Sequence, residues 1–138
     1  MKTDFLDAHS RHWEDAQILF QNQRWANADH LFGMAAECGL KRLMQTFGMP
    51  YDAGTDRPQE RDDREHINKI WNRFESYRSG HARGATYVLP ASNLFNNWHV
   101  AQRYAHQSAF NEAYVTKHKK GAETVKELVQ QARRDGLI

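Results

Sequence analysis

The sequence predicts an all-α fold, an antiparallel bundle of four or five helices, and three observations lead there. Trp25 to Met44 reads as one long amphipathic helix, with Trp25, Ala28, Phe32, Ala35, Gly39, Leu43 and Phe47 recurring at steps of three and four. Ala35, Ala36 and Gly39 put small residues in the middle of that face, so a second helix can approach closely while Phe32 and Phe47 fill the ends. Further stretches of helical period lie on either side of it, divided by connectors that carry Gly and Pro.

The first helix is expected from Asp4 to Gln21 with Thr3 as N-cap, its stripe formed by Leu6, His9, Trp13, Ala16 and Phe20. A turn at Asn22 to Arg24 leads into the long second helix, stopped by Gly48 with Pro50 just past it, and the two form an antiparallel hairpin. Cys38 reads as a small packed residue, whereas Glu37 lies at the edge of the buried face and calls for a cationic or helix-end partner. Met49 to Asp63 reads as an exposed loop. Asp62 or Asp63 is expected to cap a third helix bearing Ile67, Ile70, Trp71, Phe74 and Tyr77 and ending at Gly80. Its outer face is basic, with Arg64, Lys69, Arg73 and Arg78, either a solvated surface or an anion-binding one. His81 to Ala91 is a connector with a short extended run at Thr86 to Leu89. Ser92 then caps a fourth helix with Leu94, Phe95, Trp98, Ala101, Gln102 and Ala105 on one face. His106 to Lys120 can continue that helix or form a packed loop, and a fifth helix is expected from Gly121 to Arg134.

Composition narrows the class. With 138 residues, 40% of them apolar and 12% aromatic, one domain is expected, able to bury a core without disulfide or metal staples. A mean hydropathy of -0.87 indicates a strongly polar surface. No apolar run approaches the length of about 18 residues that spans a bilayer. The start, MKTDFLDAHS, has neither a hydrophobic signal core nor an Arg-rich transit pattern, so a cytoplasmic location and no membrane partner are expected. One cysteine excludes an internal disulfide and any multi-cysteine zinc site. His9 and His12 make only a weak pair without a third ligand, so no metal is expected. The glycines never cluster as a Rossmann or P-loop nucleotide site requires, and no cofactor is expected. A formal charge of +2 permits an anionic partner without demanding one.

Taken together, the aromatic-ended first helix, WANADHLFGMAAECGLKRLM and the later FNNWHVAQRYA resemble the HEPN superfamily of small helical domains. Ala36, Glu37, Cys38, Leu40, Lys41 and Leu43 match the family's second-helix pattern, and Arg103 and Tyr104 match an Arg-Tyr near the start of its last segment. The resemblance implies a mostly antiparallel four- or five-helix domain that often forms homodimers and binds RNA or nucleotides. Active members cut RNA without a metal, using an Arg followed four to six residues later by a His. This chain departs from that pattern: Ser108, Ala109 and Phe110 stand where the His should be, and His106 comes too soon. The spacing does occur at Arg24 to His30 and at Arg61 to His66. With eight His and a still larger number of Arg, coincidental matches are expected, and neither lies where the family keeps its pair.

A local substitute is His99, Arg103 and His106, whose separations of four and three residues would place all three on one side of a helix. Such a trio can be a polar surface stripe with Arg103 paired to Glu37, a phosphate grip, or an acid-base centre. The reading adopted is RNA or nucleotide binding through Arg103, Tyr104, His99, His106, Arg73, Arg78, Lys117, Lys119 and Lys120, with Glu37 and Lys41 structural. One alternative is a divergent metal-independent ribonuclease of a toxin or phage-defence system, with Arg103, His106 and His99 catalytic and an inhibitory or effector protein as partner. The other is a helical adaptor, since Trp13, Trp25, Trp71 and Trp98 are many for a core of this size.

Overall fold

The computed structural model describes residues 1–138 and is mostly helical. Four helices carry the architecture: α1 (Phe5–Gln21), α2 (Trp25–Thr46), α3 (Ile67–Ser79) and α4 (Glu112–Arg134). A two-residue antiparallel ladder, β1 (Tyr51–Asp52) with β2 (Arg57–Pro58), and three short 3₁₀ turns complete it. No helix is long and apolar enough to cross a membrane.

The hub is α2, which packs against α1, α4 and α3. From Ala28 to Met44 its buried residues run almost all the way round the helix, the mark of a central rod rather than a surface one. Its small residues act as the sequence predicts. At Gly39 an added Cβ would meet Val125 Cγ1 at 2.6 Å and His9 Nδ1 at 2.7 Å, so α1 and α4 both close on that point. His9, 3% exposed, bonds its Nδ1 to Ala35 O at 2.8 Å. At its C-terminus Gly48 takes φ 101°, Gly48 N–H donates to Gln45 O and Met49 N–H to Met44 O, a Schellman closure before Pro50.

Several boundaries differ from expectation, each for a local reason. The N-cap of α1 is Asp4, whose carboxylate accepts from the N–H groups of Leu6 and Asp7; Thr3 N–H goes instead to Asp56. The 49–63 stretch is ordered by the small ladder and by Asp52 Oδ1, which accepts from Gly54 and Thr55 N–H. Neither Asp62 nor Asp63 caps α3, whose N-cap position is His66. Asp63 is fully buried and accepts from Arg73 Nε at 2.8 Å and from the Tyr77 hydroxyl. The Thr86–Leu89 run forms no strand; Tyr87 is buried there, its hydroxyl donating to Asp135.

The largest difference concerns the fourth helix. Residues 94–105 form tight turns and a 3₁₀ turn at Val100–Tyr104, not an α-helix. Polar side chains capture the backbone donors that an α-helix would use: Asn93 Oδ1 takes Phe95 N–H, and His99 Nδ1 takes Ala101 N–H. The ambiguous stretch resolves into a second 3₁₀ turn, Gln107–Ala109, and the start of α4, capped by Asn111 through Tyr114 N–H. Gly121 therefore lies inside α4, where the Phe95 ring sits against it.

Trp98 lies on Gly33 of α2 so closely that a Cβ there would overlap its indole. Overpacking of this kind costs about 1–3 kcal/mol. Gly33→Ala is therefore expected to lower the unfolding free energy measured by urea titration by that amount and to alter Trp emission; unchanged stability would show that Trp98 does not rest there.

Candidate functional site

The segment that replaces the fourth helix is fastened to α2 through one carboxylate. Asp29 is fully buried; His118 of α4 donates through Nδ1 to its Oδ1 at 2.6 Å, and Gln102 donates to its other oxygen. The backbone carbonyl of Asp29 accepts from Trp98 Nε1 at 3.1 Å. His118, also fully buried, lies 2.9 Å through Nε2 from Asn97 Oδ1 and stacks on Phe95. A buried polar group stripped of its hydrogen-bond partner typically costs about 1–3 kcal/mol, and more when it is charged, so this node holds its neighbours firmly.

The node fixes one wall of an open groove of about 460 Å³. The other wall is the α1–α2 turn and the first turn of α2. Gln23, Arg24 and Trp25 face Gln102, Arg103, His106 and Ser108 across it, and no carboxylate lines it. Arg24 and Arg103 are exposed and make no ion pair. The Arg103 guanidinium lies 4.8 Å from the Tyr104 ring centroid, and His106 Nδ1 is 2.9 Å from Ser108 Oγ. No side chain caps the N-terminus of α2, which leaves first-turn N–H groups beside these cations.

A second cluster lies along the Trp98 indole. His30 stacks on it at 5.8 Å, and its Nδ1 is buried without a partner. Burial, reinforced by the charge of Arg103, holds His30 below its ordinary pKa of 6.5. His66 approaches the same indole at 6.4 Å and places Nδ1 3.0 Å from Glu37 Oε2. Lys41 donates to the other Glu37 oxygen at 2.7 Å. Burial alone would raise the Glu37 pKa, but the hydrogen bonds from His66 and Lys41 and the Lys41 charge outweigh it, and the carboxyl stays below 4.5. Beside it, burial pushes the Cys38 thiol up to about 12, which suits packing and not nucleophilic attack.

The structure gathers some of the expected site residues and disperses others. Arg103 and His106 line the groove and Tyr104 adjoins it. The common helical face of His99, Arg103 and His106 does not exist, because His99 and His106 are N-caps of separate 3₁₀ turns and His99 lies outside the groove. Arg73 is bound to Asp63 and Glu60, Arg78 to Glu75, Lys117 to Asn96 and Asn97, and Lys119 covers the Phe20 ring. Neither these residues nor exposed Lys120 line the groove. Glu37 pairs with Lys41 and His66 rather than with Arg103. Trp13, Trp71 and Trp98 are buried, so the core absorbs most of the tryptophans that suggested an adaptor. Sequence reasoning missed Arg24, His30 and His66 by setting their spacing aside as coincidence. It also missed Asp29, whose signal was a polar residue between Ala28 and Phe32 on the apolar stripe. No group of three His, Cys, Asp or Glu side chains is arranged to hold a metal ion.

Comparison of the chain with family models, curated proteins and solved structures yields no match.

The histidines give the fold a pH dependence with a definite sign. His9, His12 and His30 are held below 6.5, in each case chiefly by burial. Above 6.5 folded and unfolded chains are both neutral at these sites; below it the unfolded chain takes up protons that the folded one resists, and stability falls. The urea midpoint is expected to drop between about pH 7.5 and about pH 5.5. The drop should be smaller in His9→Gln, whose amide keeps a donor for Ala35; an identical drop would assign the pH dependence elsewhere.

Proposed function

We propose that the groove between the α1–α2 turn and residues 102–108 binds the phosphates of RNA or of a nucleotide. The observation that carries this reading is the pair of unpaired arginines, Arg24 and Arg103, on opposite walls of one groove that holds no carboxylate. Arginine forks match phosphate oxygens in geometry, and His106 and the uncapped N–H groups of α2 add donors beside them. The HEPN-like character of the bundle belongs to the same proposal, since Arg103 and Tyr104 occupy the Arg-Tyr position of that resemblance. A homodimer and an inhibitory or effector protein partner rest on the resemblance alone: the exposed large apolar side chains, Met1, Ile18, Val88 and Tyr104, belong to four different segments.

Fluorescence anisotropy with a labelled single-stranded RNA tests the reading. Binding at low salt is expected to fall steeply as salt rises. Arg24→Ala and Arg103→Ala should each weaken it about tenfold and flatten the salt dependence by about one contact, with Lys120→Ala unchanged. Absence of binding at low salt would overturn the proposal.

A second reading, metal-independent RNA cleavage, is favoured by the Glu37–His66 pair and by the unpartnered His30 on the same indole. In that reading neutral His30 accepts the ribose 2′-hydroxyl proton as the 2′-oxygen bonds to phosphorus. His66, oriented by Glu37, protonates the departing 5′-oxygen, and Arg103 balances the charge that builds on the phosphoryl group. Cleavage of labelled RNA in EDTA is expected to fall at least about a hundredfold in His30→Ala and in His66→Ala, and to persist in His99→Ala. Cleavage unaffected in the first two variants would exclude this centre.

A further inference from the structure

We infer that the groove takes single-stranded rather than duplex nucleic acid, with Tyr104 as the platform on which an unpaired base stacks. This rests on the phosphate-binding reading and adds to it the part of the ligand that is not phosphate. Tyr104 is 79% exposed, whereas every other Trp, Tyr and Phe of the chain is buried or half-buried. Its ring packs against no other aromatic ring, so folding does not account for its position. It ends the 3₁₀ turn Val100–Tyr104, which is pinned by Gln102 to Asp29 and by the reciprocal capping of His99 and Gln102. The ring is thus presented from a fixed base.

Its immediate neighbour gives the exposure a meaning. The Arg103 guanidinium lies against the ring at 4.8 Å while also lining the groove, so one side chain connects the groove wall to the aromatic surface. A nucleotide whose phosphate meets Arg103 has its base within reach of Tyr104, where ring and cation together form a stacking surface. Duplex bases are stacked on both sides and cannot use it. Single strands can, and stacking of this kind adds affinity that alanine substitution removes.

The test is anisotropy at fixed low salt with a single-stranded oligoribonucleotide and a duplex of the same length, on the full chain. The wild-type protein should bind the single strand more tightly. Tyr104→Ala should weaken single-strand binding about tenfold while leaving duplex binding and thermal midpoint unchanged, and Tyr104→Phe should retain it. Equal single-strand affinity in Tyr104→Ala, with Arg103→Ala still weakened, would overturn the stacking role and leave phosphate binding standing. An equal loss on single strand and duplex would also overturn it, by assigning the effect to a displaced Arg103. No binding of either nucleic acid would end both readings together.

Discussion

A carboxylate without access to water sets the arrangement of this molecule. Asp29 sits on the central helix with both oxygens engaged, one by an imidazole of α4 and one by an amide of the irregular segment. Unpaired, a buried carboxylate is among the costlier groups a fold can hold, so the three elements that meet there are bound to one another. Dispersion and hydrophobic burial bring α1, α3 and α4 to α2, but those forces have little direction. The polar node supplies the direction. It decides which residues between α3 and α4 lie across the helix and therefore which side chains face the groove.

The same node explains how a stretch without regular structure forms a dependable wall. Trp98 settles on Gly33, Phe95 on Gly121 and His118, and Asn97 meets His118 from the solvent side. Each large ring has a glycine or a flat partner beneath it, a close fit that bulky residues at Gly33 or Gly121 would prevent. The exposed residues that follow, Arg103 to Ser108, are carried on that base rather than on a helix of their own. The Arg103 guanidinium stands free because no carboxylate lines the groove, while Arg73 holds Asp63 and Glu60, Arg78 holds Glu75, and Lys41 holds Glu37.

The helical class and the hub were legible because they follow from local periodicity: the apolar stripe of α2, its small-residue centre and the Gly48 stop each leave a direct trace in the chain. The fourth helix was misread for a reason visible in its residues. Leu94, Phe95 and Trp98 have helical spacing, but Asn93 and His99 bind nearby backbone N–H groups and favour turns, and the tertiary contacts of Trp98 and Gln102 settle the competition. The groove was legible only on one side. Arg103 and His106 stood out, whereas Arg24 lies far away in sequence and is brought opposite them by the hairpin and the Asp29 node. Proximity of that kind leaves no periodic signature.

The partners of Asp29 lie 73 and 89 residues further along the chain. The hairpin of α1 and α2 leaves the ribosome long before they do, carrying a carboxylate without its hydrogen-bond partners. Closing contacts of such long range is entropically slow, and the growing polypeptide cannot complete its interior until His118 has been synthesised and has emerged. For that interval the face of the central helix that α4 will cover stays open to solvent, the kind of exposed apolar surface that makes incompletely folded chains prone to aggregate.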